Sequence, residues 1–254
     1  MKHILIAGGG IGGLSASISL SKVGFSVTLC EAALENRKTG AGILMPQNAL
    51  AVLKELDVFE ECCEHGFQTK WLKTFDAQGN LQFQVSESFL DDTLPGRNNI
   101  PRKTLSDILI KHADAAGVDI KWGKKVVAYE ETAESVSAIF DDGGKIKADI
   151  LVGFDGIHST VRNMMLQKEI EKEHLGMGAW RFYFELPDYK FEDSSLMYIS
   201  GETQIGVVPL AERAGYVFVL QPCASDYWDE EDTRFNRVKE ILLGFPGLDF
   251  ITKH

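Results

Sequence analysis

Three short apolar segments organise the start of the chain: Ile4 to Ala7 runs unbroken, Leu14 and Ile18 recur at helical spacing after a glycine cluster, and Phe25 to Cys30 returns to an extended pattern. The order this predicts is strand, turn, helix, strand, a βαβ unit. Further along, "PQNALAVLKELDVF" places Ala49, Val52, Leu53 and Leu56 on one helical face, and "TLSDILIKHADAAG" does the same with Leu105, Ile108 and Leu109. Two amphipathic helices are therefore expected to lie on a sheet. Between them "TKWLKTFDAQGNLQFQVS" alternates apolar and polar positions around Gly79-Asn80, which predicts a hairpin in another layer. A meander is expected over "KKVVAYEETAESVSAIFDDGGKIKADILVGFDG", turning at Asp141 to Gly144. The polar run "QKEIEKEH" reads as a solvated connection, and beyond Gly176 strands dominate: "AWRFYFEL", "SLMYIS", "QIGVVPL" and "YVFVLQP". The fold class is α/β: a Rossmann-like domain with a β-meander, followed by a mostly antiparallel sheet domain. No internal repeat interrupts this order.

Composition narrows the function. With 26 basic against 37 acidic residues the net charge is −11, and no Lys/Arg cluster offsets it, so a nucleic-acid partner is not expected. The first apolar run breaks at Gly8 and no later stretch could span a bilayer, so neither a signal peptide nor membrane insertion is expected, and the cytoplasm is the expected compartment. Cys30, Cys62, Cys63 and Cys223 have neither disulfide-framework nor zinc spacing, and the vicinal pair reads as part of a helix. No metal is expected.

The chemistry begins at Gly8-x-Gly10-x-x-Gly13, which follows a strand and opens a helix. Gly8 supplies the tight turn, Gly10 lets backbone approach a pyrophosphate, and Gly13 seats the helix close to the strand with its N–H groups toward the anion. Glu31 ends the second strand, where a carboxylate can accept both hydroxyls of an adenosine ribose and would repel a 2′-phosphate. NAD and FAD present the same ADP to such a unit, and local chemistry does not choose between them.

Three stretches do. The cradle with Glu31, "RKTGAGILMPQNAL" at 37–50 and "GFDGIHSTVR" at 153–162 together resemble the FAD-dependent aromatic hydroxylases, the class A flavoprotein monooxygenases typified by p-hydroxybenzoate and salicylate hydroxylases, and the likeness extends over the whole chain. The resemblance implies a discontinuous FAD domain (1–66 and 100–172) and a substrate-binding sheet domain (67–99 and 173–254). It implies FAD as cofactor, NAD(P)H as a transiently bound co-substrate, O2, and hydroxylation of a small aromatic substrate. Gly40, Ala41 and Gly42 would pass under the ribityl chain and flavin ring. Arg37 would reach the FAD or the nicotinamide donor, Arg102 would touch the cofactor, and Val126 or Val127 would present backbone to the adenine. Asp155 and Gly156 would approach the pyrophosphate from the far side, Asp155 orienting the cradle and Arg162 adding positive charge. Asp155 also suits a helix N-cap, and Arg102 an exposed first-turn position.

Candidate substrate walls are Trp180, Phe182, Phe184, Val207, Pro209 and Phe218, with Trp180, Phe182 and Phe184 on one strand face; sheet core is the alternative for each. No side chain stands out as the catalytic base. His158 reads as a packed or capping residue. "GVDIKWGKK" faintly resembles a P-loop but has five residues between its glycines and lysine where Ser or Thr belongs, and is set aside. The third FAD motif of the resembled family, a glycine-aspartate pair before a helix, is not found in these 254 residues. A further C-terminal segment or a partner chain is expected to supply it, and the chain alone is expected to be impaired. A non-catalytic dinucleotide-binding fragment or subunit is the rival reading.

Overall fold

The computed structural model describes residues 1–36 and 40–252 and resolves into two compact units. The first comprises Met1–Thr39, Leu56–Val58 and Lys103–Lys172. Its parallel sheet has strand order β12-β1-β2-β8, from β1 (His3–Ala7), β2 (Ser26–Glu31), β8 (Asp119–Trp122) and β12 (Ile150–Gly153). β1 is the central pivot, with Ile4 opposite Val27 on one side and Ile150 on the other, and Leu5 and Ile6 are fully buried. Such continuous apolar strands are what a parallel sheet covered on both faces requires. Helix α1 (Ile11–Lys22) follows β1, and α4 (Arg102–Ala115) buries Leu105, Ile108 and Leu109 as their spacing predicts. The meander forms β9 (Val126–Glu131), β10 (Val136–Phe140) and β11 (Lys145–Ala148), whose Val126, Ala138, Phe140 and Ala148 share a core with Leu5, Ala7 and Val161. The short helix α5 (Thr160–Leu166) leaves the last strand.

The second unit comprises Gly40–Glu55, Phe59–Arg102 and Glu173–His254. A six-stranded sheet runs β13-β16-β15-β14-β5-β6, built from β5 (Trp71–Phe75), β6 (Leu81–Ser86), β13 (Met177–Glu185), β14 (Ser194–Ser200), β15 (Thr203–Ala211) and β16 (Ala214–Pro222). The β5–β6 hairpin turns where Gly79-Asn80 predicted it, and only the β14–β5 pair in this sheet is parallel. A smaller sheet joins β3 (Gly42–Pro46), β7 (Arg97–Pro101) and β4 (Phe67–Thr69). Because β3 pairs with β7 rather than with the parallel sheet, 40–55 and 59–66 fall in this unit, whereas the sequence boundaries placed them with the first.

Two expectations are corrected. Helix α2 (Gln47–Glu55) buries Gln47, Leu50 and Leu53, while Val52 is 53% exposed. The face is rotated because it includes a polar residue: Gln47 Oε1 accepts the N–H groups of Phe89 (3.0 Å) and Leu90 (2.7 Å), and Nε2 donates to the Asp91 carbonyl (2.8 Å). The strand-rich second half also contains α6 (Glu231–Leu243) and α7 (Asp249–Thr252). Val238 and Leu242 of α6 join Trp180, Val207, Val217 and Val219 in an apolar core of this unit. The vicinal cysteines lie in α3 (Phe59–Glu64), as expected, and no helix among the described residues is long and apolar enough to cross a membrane.

Candidate functional site

In the first unit the glycine turn after β1 has the sterics its spacing implied. Gly8 adopts φ +111°, and a Cβ there would lie 2.3 Å from the Phe154 carbonyl oxygen; a Cβ on Gly13 would lie 1.9 Å from the Gly8 oxygen. Only glycine fits at either position. Gly10 differs, because a Cβ there meets nothing within 4 Å. Gly10 precedes α1 without a side-chain cap, and no acidic residue occupies the first turn of that helix. The first N–H groups of α1 and their positive dipole end therefore face open space, the setting in which a helix N-terminus can accept an anion.

Around this opening lies a cleft of about 380 Å³ lined by Gly8, Gly10, Cys30, Glu31, Val126 and Asp155, among others. Glu31 is already engaged on both oxygens: Oε2 accepts from Gly9 N at 2.7 Å and Oε1 from Ala33 N at 2.7 Å. Each carboxylate oxygen keeps a second lone pair for a ligand hydroxyl. Cys30 is buried beside it, and burial pushes its thiol up to about 11, which leaves it protonated and unreactive. Val126 lines the cleft, whereas the Val127 side chain is exposed and outside the lining.

The aspartate-glycine turn contacts the cradle through backbone. Phe154 N donates to the Ala7 carbonyl at 2.7 Å, and the Phe154–Asp155 peptide closes over Gly8. The Asp155 carboxylate turns the other way: Oδ2 accepts from Thr160 N (2.7 Å) and Val161 N (3.0 Å), and Oδ1 accepts from the Ser159 hydroxyl. It caps α5 together with Ser159, whose Oγ accepts from Arg162 N at 3.0 Å. Gly156, at φ +80°, lines the cleft. The Arg162 guanidinium donates to the Ile157 carbonyl at 3.1 Å and does not line the cleft.

Sequence reasoning missed several lining residues. His158, expected to be packed or capping, is exposed, lines the cleft and contacts Lys172. Lys124 and Lys125, from the set-aside "GKK", also line it; Lys124 pairs with Asp142. Their position just before the first meander strand, which begins at Val126, was the available signal.

Arg37 lies outside the described residues. Gly40, Ala41, Gly42 and Arg102 belong to the second unit. Gly40 adopts φ +77° and abuts the Arg102 side chain, which is exposed at the first position of α4. A Cβ on Gly42 would meet Leu210 at 2.7 Å and Tyr216 at 2.8 Å, so the glycine is required by packing within this unit. Ala41 packs on the same Val208, Leu210 and Tyr216 cluster.

The six substrate-wall candidates do not share one wall. Trp180, Phe182 and Phe184 do point the same way, but with Val207 they face α6 and pack in or against the sheet–helix core. The alternation has apolar residues on both sides of these strands, which is why the two faces were not told apart. Phe218 lies on the opposite face with Tyr216 at a ring separation of 6.4 Å, and Pro209 is buried in β15. Burial pushes the Tyr216 phenol up to about 12. Among the described residues no group of side chains could hold a metal ion.

Comparisons with known proteins place the chain in a family. A family model described as an FAD binding domain matches residues 1–253. YetM of Bacillus subtilis (strain 168), whose name places it among FAD-dependent monooxygenases, is 82% identical over all of this chain, which covers 69% of that protein. An FAD-dependent urate hydroxylase of Mycolicibacterium vanbaalenii is 30% identical over 94% of the chain and 60% of its own length. The chain thus spans roughly three fifths to two thirds of the length of such relatives. Among solved structures, the R204Q variant of Klebsiella pneumoniae HpxO complexed with FAD superposes with a TM-score of 0.86 at 22% identity, covering 100% of this chain and 66% of that one. At that identity it shows the shared fold.

Proposed function

The chain belongs to the FAD binding domain family of FAD-dependent aromatic hydroxylases, and from that premise we propose that it hydroxylates a small aromatic substrate using NAD(P)H and O2, in the cytoplasm. The observation that carries the reading is the open face of Gly10 at the uncapped start of α1, with Glu31 beside it. Bound FAD would supply the redox and oxygen chemistry.

The protein's share is binding and placement. Gly8, Gly10 and Gly13 bring the N–H groups of α1 to the pyrophosphate, and Glu31 receives the ribose hydroxyls on its remaining lone pairs. Val126 offers backbone beside the adenine, and the Phe154–Gly156 backbone closes the far side of the cradle. Gly40 to Gly42 and Arg102 serve the ribityl chain and ring, as the resemblance assigns them. Arg37 and Arg162 are carried as charge donors on the same ground. Of the substrate-wall candidates, Phe218 is best placed, since its face is not filled by α6.

We also propose that the 254 residues alone hold FAD weakly and couple NAD(P)H oxidation poorly to hydroxylation. Most side chains and turns named above address the ADP half of the cofactor. A non-catalytic dinucleotide-binding subunit is the second reading, favoured by the same imbalance. The test is the visible spectrum of the purified protein, followed by NAD(P)H consumption and analysis of hydroxylated product. A protein that takes up NAD but no flavin would overturn the proposal.

A further inference from the structure

We propose that the free edge of β13 is a self-pairing surface: a second copy of this chain adds to it as an antiparallel strand, about a two-fold axis at Tyr183, and joins two six-stranded sheets into one. This is independent of the cofactor and substrate readings above.

The edge has the backbone that pairing needs. β13 ends its sheet and keeps one unbroken register with β16 over all nine of its residues, whereas the pairing of β6, the strand at the other end, shifts between Thr74 and Phe75. Hydrogen bonds just beyond its two ends fix its parity. Leu186 N donates to the Arg213 carbonyl at 2.7 Å and Cys223 N to the Gly176 carbonyl at 2.8 Å, so the even-numbered residues turn their peptide groups toward β16. Alternation leaves the N–H and C=O groups of Arg181, Tyr183 and Glu185 directed outward. Such a row is a template for another strand unless something blunts it.

Charged side chains ordinarily do the blunting, because two copies set like charges against each other. On β13 the charges are placed the other way. Arg181, Tyr183 and Glu185 share one face of the strand, where the Tyr183 hydroxyl donates to Glu185 Oε1 at 2.9 Å, and all three are exposed. Neither Arg181 nor Glu185 forms an ion pair among the described residues. With Tyr183 opposite Tyr183 of the second copy, Arg181 of each copy falls opposite Glu185 of the other, and each of these pairs exchanges both of its backbone hydrogen bonds. Registers centred on Arg181 or on Glu185 would set like charges face to face, and those centred on Phe182 or Phe184 would bring neither ion opposite its counter-ion. A two-fold contact requires a self-complementary patch of this kind, and the charges select the register.

The other face adds apolar contact. Phe182 of one copy falls opposite Phe184 of the other in a non-hydrogen-bonded pair, the kind in which side chains approach most closely. On that face a cavity of about 220 Å³ is lined by Phe182, Phe184, Phe235, Val238 and Leu242, among others, and Phe235 is 57% exposed. A single strand edge lies at the small end of specific interfaces, so a dissociation constant on the order of micromolar is expected.

The experiment is sedimentation velocity of the 254-residue chain over a concentration series spanning that range, in which the wild type should pass from monomer to dimer. Arg181→Glu and Glu185→Arg should each raise the dissociation constant at least about tenfold, since each turns both matched pairs into like-charge pairs. The double variant Arg181→Glu/Glu185→Arg should restore dimerisation, which separates lost charge matching from lost folding. Tyr183→Cys gives an independent reading: paired Cα atoms about 5.5 Å apart are within disulfide reach, so mild oxidation should link two copies, while Ala179→Cys, distant from its symmetry mate, should not link. A wild type that stays monomeric throughout overturns the proposal. So does a dimer that neither charge reversal weakens, a double variant no tighter than the single ones, or a Tyr183→Cys chain that links no more than Ala179→Cys.

Discussion

Glu31 and Gly9 are joined across the β1–β2 edge by a 2.7 Å hydrogen bond from the Gly9 N–H to Oε2, so the carboxylate that faces the cleft also holds the glycine turn in place. With Oε1 taken by Ala33 N, a Glu31→Gln change must set an amide NH2 against a backbone N–H. We expect it to weaken FAD by about 1 to 3 kcal/mol and to lower the thermal midpoint as well. A titration showing unaltered FAD affinity would remove Glu31 from the site.

The three glycines separate into two kinds. Gly13→Ala forces a Cβ to within 1.9 Å of a carbonyl oxygen and should cost folding stability of about 1 to 3 kcal/mol or more. Gly10→Val meets open space, so its denaturation curve should stay close to wild type while flavin affinity falls at least about tenfold as the new side chain enters the anion's position. Equal flavin affinity in a folded Gly10→Val protein would refute the cradle.

Asp155 and Ser159 act as one cap. Removing either should cost about 0.5 to 2 kcal/mol, and the double substitution to alanine should cost less than the sum, because Ser159 donates to the same carboxylate that it helps. Strict additivity in a double-mutant cycle would show that the two caps are independent.

Asp229 gives a pH signature. It accepts from the Tyr227 hydroxyl and from the Trp180 indole N–H, and these bonds, Tyr227 first, hold its carboxyl below the usual 3.8. With the folded value depressed, the stabilisation is complete above the unfolded value and is lost as pH falls through the folded one, a window lying below about pH 4. Asp229→Asn should therefore melt below wild type at neutral pH, with the gap closing on acidification. A gap that does not change between pH 7 and pH 3 would contradict this.

Coupling is the fifth property open to measurement. The 254 residues alone should bind FAD substoichiometrically and release peroxide in place of product, while a version extended with the C-terminal part of a close relative should gain both flavin and product. Stoichiometric flavin and efficient hydroxylation by the chain as it stands would show that Gly40 to Gly42, Arg102 and the ADP cradle suffice.

What could be read from the sequence was whatever local sterics encode. Gly13 is legible because one turn of chain brings Gly8 within contact, and Leu105, Ile108 and Leu109 because a helix repeats its buried face; Gly8 shows in the glycine spacing, although the carbonyl it meets belongs to distant Phe154. The cleft's Lys124, Lys125 and His158 were not, since only the assembled sheet brings the residues before the meander opposite the aspartate-glycine turn. Helix α6 was overlooked although Val238 and Leu242 carry its period, because it follows a long run of strands. The sides of β13 were ambiguous for a plain reason: Trp180 and Phe182 on one face alternate with Arg181 and Tyr183 on the other, and only the position of α6 decides which face is filled.

The pairing of β1 with β12 has a consequence during synthesis. Ile4 meets Ile150, so the central strand of the parallel sheet lacks one neighbour until nearly 150 further residues have been made. At about 5 to 20 residues per second that interval is on the order of ten to thirty seconds. Throughout it, Leu5 and Ile6, which end with no exposure at all, sit on an unpaired strand edge. A nascent chain in this condition is a natural client for ribosome-associated chaperones, and its yield should fall when translation is slowed between the codons for residues 31 and 150.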